Sequence, residues 1–121
     1  MANSLRKVVE QLKKNKAVES IIQFGSSLEK KDCRDIDLCL FTTKPLALRE
    51  QLAMVRDIRE IFDISFYDDL PIHIKKEVLK GKILFTRNYY HILKQVQYVD
   101  LEYPRYETFL DEYHREMMAA L

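Results

Sequence analysis

Glycine and proline are scarce in this chain, with only two Gly and three Pro among 121 residues. Because these residue types interrupt regular structure, each one marks a turn or the boundary of an element. Between these markers, apolar residues recur with helical spacing in some segments and with strand alternation in others, which predicts an α/β fold. A chain of this length can bury one proper core, so we expect a single domain over residues 1–121.

Two predicted strands carry aspartates on their polar faces. Ile36, Leu38 and Leu40 alternate with polar or small residues, so Asp35 and Asp37 lie together on the opposite face. A second alternating segment, Phe62 to Tyr67, exposes Asp63 in the same way. An earlier short strand, Ile21 to Phe24, ends at the Gly25-Ser26 turn. The sequence therefore places three carboxylates on predicted strands and a glycine turn at the end of another strand.

The remaining boundaries define helices. Leu5, Val8, Val9 and Leu12 predict a first helix, and Pro45 suits the first turn of a second helix with Leu48, Leu52, Val55 and Ile58 on one stripe. Asp69 and Pro71 predict the cap and first turn of a third helix, with Gly81 as its left-handed stop. We expect a break near Pro104 in the last helix.

The order Phe24-Gly25-Ser26, Asp35-Ile36-Asp37 and a later Asp63 resembles the signature of the nucleotidyltransferase superfamily. With Phe62-Asp63-Ile64, the segment Asp68 to Pro71 and Tyr98 to Leu101, the chain looks closer still to the minimal nucleotidyltransferases that pair with HEPN-domain proteins as antitoxin and toxin. This resemblance implies the nucleotidyltransferase fold, α/β (α+β), with a short mixed β-sheet flanked by helices.

The resemblance also implies a chemistry for these residues. Asp35, Asp37 and Asp63 would hold two Mg²⁺ ions, Gly25 and Ser26 would contact the phosphates of ATP or another nucleoside triphosphate, and a hydroxyl would accept the nucleotidyl group. Nucleotidyl transfer needs two cations about 3.5–4 Å apart, and two carboxylates on one strand face can converge on such a pair. In the minimal group the acceptor can be a tyrosine of the HEPN partner.

One departure from the family pattern leaves a second function open. Ser27 and Leu28 stand where many minimal enzymes have an Arg, and Lys30, Lys31 or Arg34 are the nearby cations that could replace it. The same fold could therefore serve as a catalytically weak antitoxin that acts by binding its partner. A net charge of +1 argues against binding of nucleic acid.

Several other features receive simpler interpretations. Asp68 and Asp69 are assigned to helix capping, and His73, His91 and His114 have no common metal-ligand spacing. Most of the tyrosines in the second half are expected in the core, although a stripe on the last helix could serve a homo-oligomer or a helical partner. No apolar run approaches the about 20 residues of a membrane span, and the reduced cysteines fit a cytoplasmic protein.

Overall fold

The computed structural model describes residues 2–28, 35–58 and 61–120. The helices and strands of these segments alternate along the chain in the following order: α1 (Ala2–Lys13), β1 (Val18–Phe24), β2 (Ile36–Thr42), α2 (Leu48–Val55), β3 (Phe62–Phe66), α3 (Ile72–Leu79), β4 (Lys82–Thr86) and α4 (Tyr89–Ala120). Short 3-10 helices follow β1 at Gly25–Leu28 and β3 at Tyr67–Asp69.

The four strands form one mixed sheet in the order β3-β2-β1-β4. Strand β1 pairs antiparallel with both β2 and β4, whereas β2 and β3 are parallel. Because of these directions, β1 ends at the edge of the sheet where β2 and β3 begin. The predicted fold class, a short mixed sheet flanked by helices, is confirmed.

Helices cover the sheet on both faces. On one face, Ile36, Leu38 and Leu40 of β2 pack with Val8 and Leu12 of α1. On the other face, the core comprises Ile22, Cys39, Phe41, Tyr67, Val78 and Ile92. The alternation in β2 predicted only one buried face, but Cys39 and Phe41 are fully buried on the second. Only the first part of β2, at Asp37, keeps a partly open polar side.

Two helix boundaries differ from the sequence prediction. Helix α2 begins at Leu48 after Ala47 and not at Pro45, and its Leu48 and Leu52 side chains are 69% and 58% exposed. The last helix is not broken at Pro104, since α4 runs for 32 residues through it. A proline removes one backbone donor, but α4, which packs against α3, continues past it.

The assignments of Asp69 and the tyrosines also change. Asp69 lies in the second 3-10 helix and accepts a hydrogen bond from Gln51 Nε2 at 2.6 Å, while α3 has no side-chain cap. Tyr67 is buried and stacks on Phe41 with ring centroids 4.2 Å apart. Most of the other tyrosines do not belong to the core, and four are more than half exposed: Tyr89, Tyr90, Tyr98 and Tyr113.

None of the described helices is long and apolar enough to cross a membrane.

Candidate functional site

The Gly25 turn is built against a carboxylate. Gly25 has a φ of +80°, which non-glycine residues rarely adopt. A Cβ placed on Gly25 would lie only 2.6 Å from Oδ2 of Asp37. Both the backbone conformation and the contact therefore require glycine here. The sequence predicted a tight turn at this position, but nothing in the sequence shows that the turn packs on Asp37.

Strand register brings two of the aspartates side by side. Asp37 is the register partner of Phe24 in β1 and of Asp63 in β3. Side chains at paired positions lie on the same face of a sheet, so Asp37 and Asp63 share the face next to the Gly25 turn. Asp35 lies just before β2 and is exposed. The structure thus places all three predicted carboxylates at one edge of the sheet, together with Gly25.

The electrostatics of Asp37 reflect this crowding. Partial burial raises the pKa of the Asp37 carboxyl above its ordinary value of 3.8, and the negative charges of Asp63 and Asp35 raise it further, as does a hydrogen bond with Asp63. Burial and nearby like charges both disfavour an ionised carboxylate. A cation at this position would relieve the repulsion among the three groups.

The chemistry of these donors fits magnesium, which prefers oxygen ligands and uses few carboxylates together with phosphate oxygens. Within residues 2–28, 35–58 and 61–120, no three His, Cys, Asp or Glu side chains are already gathered in the geometry of a metal site. The oxygen donors of the three aspartates therefore suit magnesium in kind, although the described residues do not gather them into one ligand cluster.

The effect of Asp37 on stability should depend on pH. The pKa of Asp37 is higher in the folded protein than in the unfolded chain, so as pH rises the unfolded chain loses this proton at a lower pH. The stability contributed by the carboxyl therefore falls as pH rises from 3.8 through the folded pKa. We expect Asp37→Asn to match the parent below about pH 3.5 and to be more stable near about pH 7. Urea unfolding of both proteins without magnesium, across this range, measures the difference. A difference in unfolding free energy that stays constant at every pH would contradict this prediction.

The structure describes only part of the region predicted to contact phosphates. Gly25 and Ser26 both lie in the 3-10 helix Gly25–Leu28, but the side chain of Ser26 is outside the described residues. The cations proposed to replace the family Arg, namely Lys30, Lys31 and Arg34, also lie outside them. Consecutive backbone N–H groups in such a turn form a concave surface suited to an anion. The position of the turn next to Asp37 would bring phosphate and cation together.

A family comparison agrees with this arrangement. The sequence model of the family described as "Polymerase beta, Nucleotidyltransferase" matches residues 6–90. That range includes the Gly25 turn and all three aspartates. No curated protein sequence matches the chain significantly.

Solved structures with similar folds include toxin–antitoxin complexes. A chain in the complex of a tri-AMPylated Shewanella oneidensis HEPN toxin with an MNT antitoxin aligns with a TM-score of 0.69 and 16% identity, over 93% of this chain and 98% of the other. A chain of a MntA–HepT toxin–antitoxin structure aligns with a TM-score of 0.68 and 16% identity, over 94% and 99%. A toxin–antitoxin structure with AMP-PNP gives a TM-score of 0.59 and 16% identity, over 93% and 97%. At these identities the likeness concerns the fold.

Proposed function

This chain belongs to the polymerase beta nucleotidyltransferase family, and from that premise we propose that it transfers AMP from ATP to a hydroxyl of a partner protein. The observation that carries the proposal is the pairing of Asp37 with Asp63 beside the Gly25 turn. We further propose that residues 1–121 act as one nucleotidyltransferase domain in the cytoplasm. The acceptor would be a tyrosine of a HEPN-type toxin, since one similar structure contains a tri-AMPylated HEPN toxin with its MNT antitoxin.

The site residues of this reaction fall into metal ligands and phosphate-binding groups. Asp35, Asp37 and Asp63 would hold two Mg²⁺ ions, which when bound stabilise the attacking and leaving oxygens. The backbone of the Gly25 turn and the Ser26 hydroxyl would donate hydrogen bonds to the phosphates. Strand pairing keeps Asp37 and Asp63 in a fixed relation, so the triphosphate is oriented by a rigid support.

The proposed transfer also needs a base for the acceptor. As the tyrosine oxygen forms a bond to the α-phosphorus, the bond from that phosphorus to the bridging oxygen breaks and pyrophosphate leaves. The proton of the tyrosine hydroxyl must go to a nearby acceptor. Asp63 is suited to receive it because the side chain is exposed at the start of β3.

Intact-mass spectrometry of a HEPN-domain partner tests the proposal. The partner is incubated with this protein, magnesium and each of the four ribonucleoside triphosphates in turn. We expect a mass increase of one or more adenylyl groups with ATP and little change with the other nucleotides. The double variant Asp35→Asn with Asp37→Asn serves as the control and should leave the partner mass unchanged.

A second function follows from the missing Arg after Gly25-Ser26. Without a cation in that turn the protein could neutralise its partner by contact alone, with weak or no catalysis. In that case the partner would associate tightly, its mass would not change with any nucleotide, and the Asp35→Asn, Asp37→Asn variant would neutralise it as well as the parent. This combination of results would replace the transfer proposal with the binding one.

A further inference from the structure

The end of α4 carries an exposed apolar row. Every residue from 107 to 120 is exposed. With about 100° of rotation per residue, one arc of about 100° contains four apolar side chains that are between 41% and 61% exposed: Phe109, Leu110, Tyr113 and Met117. An arc of this width is typical of a helix face that packs on another surface. At 1.5 Å per residue the row is about 12 Å long.

Carboxylates border this apolar row on one side only. By the same rotation, Glu112 and Glu116 lie along one border and form an acidic row, whereas His114 is nearest the other border. Asp111 and Arg115 lie on the opposite side of the helix. The end of α4 therefore presents an apolar row beside an acidic row.

Helix α2 presents the complementary arrangement. Leu48 and Leu52 are one turn apart and are 69% and 58% exposed. Arg49 and Arg56 are also exposed, and the helical rotation places both on one side of the two leucines, where they form a basic row. Arg56 Nε is 3.9 Å from Oδ1 of Asp57, a surface contact of little strength. From Leu48 to Arg56 the helix again measures about 12 Å.

The order of the rows on the two helices selects a parallel contact. Viewed from its N-terminus, a right-handed helix turns clockwise as residue number increases. The acidic row of α4 lies counterclockwise of its apolar row, whereas the basic row of α2 lies clockwise of its leucines. When two parallel helices face each other through their apolar rows, these two sides meet. In an antiparallel contact the acidic and basic rows would lie on opposite sides.

The two complementary surfaces belong to the same sequence, and both are exposed within one chain. A second copy therefore supplies both the apolar match and the charge match. Two α4 ends packed on each other would offer the acidic row no free arginine, because Arg115 is on the opposite side and Arg105 pairs with Glu102 at 3.5 Å. An anionic membrane or nucleic acid would be repelled by the acidic row.

We infer that residues 107–120 of one copy pack in parallel on α2 of a second copy of this chain. Apolar contact would provide affinity, and the pairing of the acidic row with the basic row would fix the orientation. The contact joins two different surfaces, so it is heterologous. Neither surface includes a residue of the carboxylate site, and self-association can be measured whether or not the protein transfers nucleotides.

Two double variants and their mixture test the inference. Leu110→Ser with Tyr113→Ser alters the α4 surface, and Leu48→Ser with Leu52→Ser alters the α2 surface. Analytical ultracentrifugation of the full chain should show self-association, and each variant alone should weaken it by at least about tenfold. An equimolar mixture of the two variants retains one intact contact and should form a dimer with one copy of each.

Charge reversal tests the orientation without changing the apolar rows. Arg49→Glu with Arg56→Glu places acidic rows on both surfaces, and Glu112→Arg with Glu116→Arg places basic rows on both. Each variant alone should associate at least about tenfold more weakly than the parent. An equimolar mixture should recover association, because each acidic row then meets a basic row of the other variant.

Tyr89→Ser with Leu101→Ser is the matched control, since it replaces an exposed tyrosine and an exposed leucine elsewhere on α4. This variant should associate like the parent. A full chain that stays monomeric at every concentration would overturn the inference, and so would mixtures that fail to assemble. Self-association that is lost in the α4 variant but unchanged in the α2 variant would also overturn it, because the α4 row would then pack on another α4.

Discussion

Replacing Asp35 and Asp37 together by Asn is expected to reduce adenylyl transfer by at least about 100-fold. Metal ions bound by these carboxylates would supply several kcal/mol of stabilisation to the transition state, and every 1.36 kcal/mol changes the rate tenfold. Asn keeps the shape of Asp but removes its charge. The initial rate of partner adenylation at saturating ATP and magnesium, followed by intact mass, measures the loss.

The same substitution should not harm the fold, and this separates a loss of chemistry from a loss of structure. Without magnesium, partial burial and then the negative charges of Asp63 and Asp35 disfavour an ionised Asp37. Neutral Asn at both positions therefore removes a buried charge and relieves repulsion. The thermal transition should stay the same or rise, and magnesium should no longer raise it. The control substitution Asp57→Asn changes an exposed carboxylate outside the site, and this variant should behave like the parent. Transfer by the double variant at the parent rate would disprove the proposed metal role.

Much of the candidate site follows from local sequence pattern. Alternation in 36–40 and 62–66 predicted the faces of Asp37 and Asp63 correctly, because the side-chain period of a strand is fixed by the backbone. Alternation does not determine which strands pair. The parallel register that aligns Asp37 with Asp63 arises from long-range packing, so the resemblance to the family was needed to connect the two residues.

The errors in the fold have the same physical origin. The pattern in β2 appeared one-sided because Cys39 is small, yet α3 and α4 bury it on the second face. Proline predicted a break in α4, but one lost hydrogen bond is a local effect and the helix continues through it. Gly81 was interpreted as a left-handed cap, whereas Gly25 is the only described glycine with positive φ. In each case tertiary contacts outweighed a local preference.

The correction at Gly81 identifies a position where close packing requires glycine. A Cβ on Gly81 would meet the backbone oxygen of Gln23, and it would lie 2.9 Å from Cγ2 of Ile22 and 3.0 Å from the oxygen of Val78. Ile22 and Val78 are buried in the core between the sheet and α3. The end of α3 can therefore approach β1 this closely only if residue 81 has no side chain.

Gly81→Ala is therefore expected to destabilise the protein by about 1–3 kcal/mol, the usual cost of inserting a methyl group into a well-packed core. For a domain of this size the midpoint of thermal unfolding should fall by about 5–15 °C. Because the strain lies between α3 and β1, the effect should be the same with and without magnesium. Differential scanning calorimetry measures it.

Gly25→Ala is the matched comparison, since it adds the same methyl group at the exposed turn. The strained backbone should lower the free energy of unfolding by about 1–2 kcal/mol, which is less than the upper range for Gly81→Ala. The new Cβ would also push the Asp37 carboxylate from its place. Adenylyl transfer should then fall by at least about tenfold, as expected when a ligand of the reacting groups is displaced, and the thermal shift with magnesium should shrink. If Gly81→Ala impaired transfer as much as Gly25→Ala at a temperature where both are folded, the assignment of Gly25 to the site and of Gly81 to packing would be wrong.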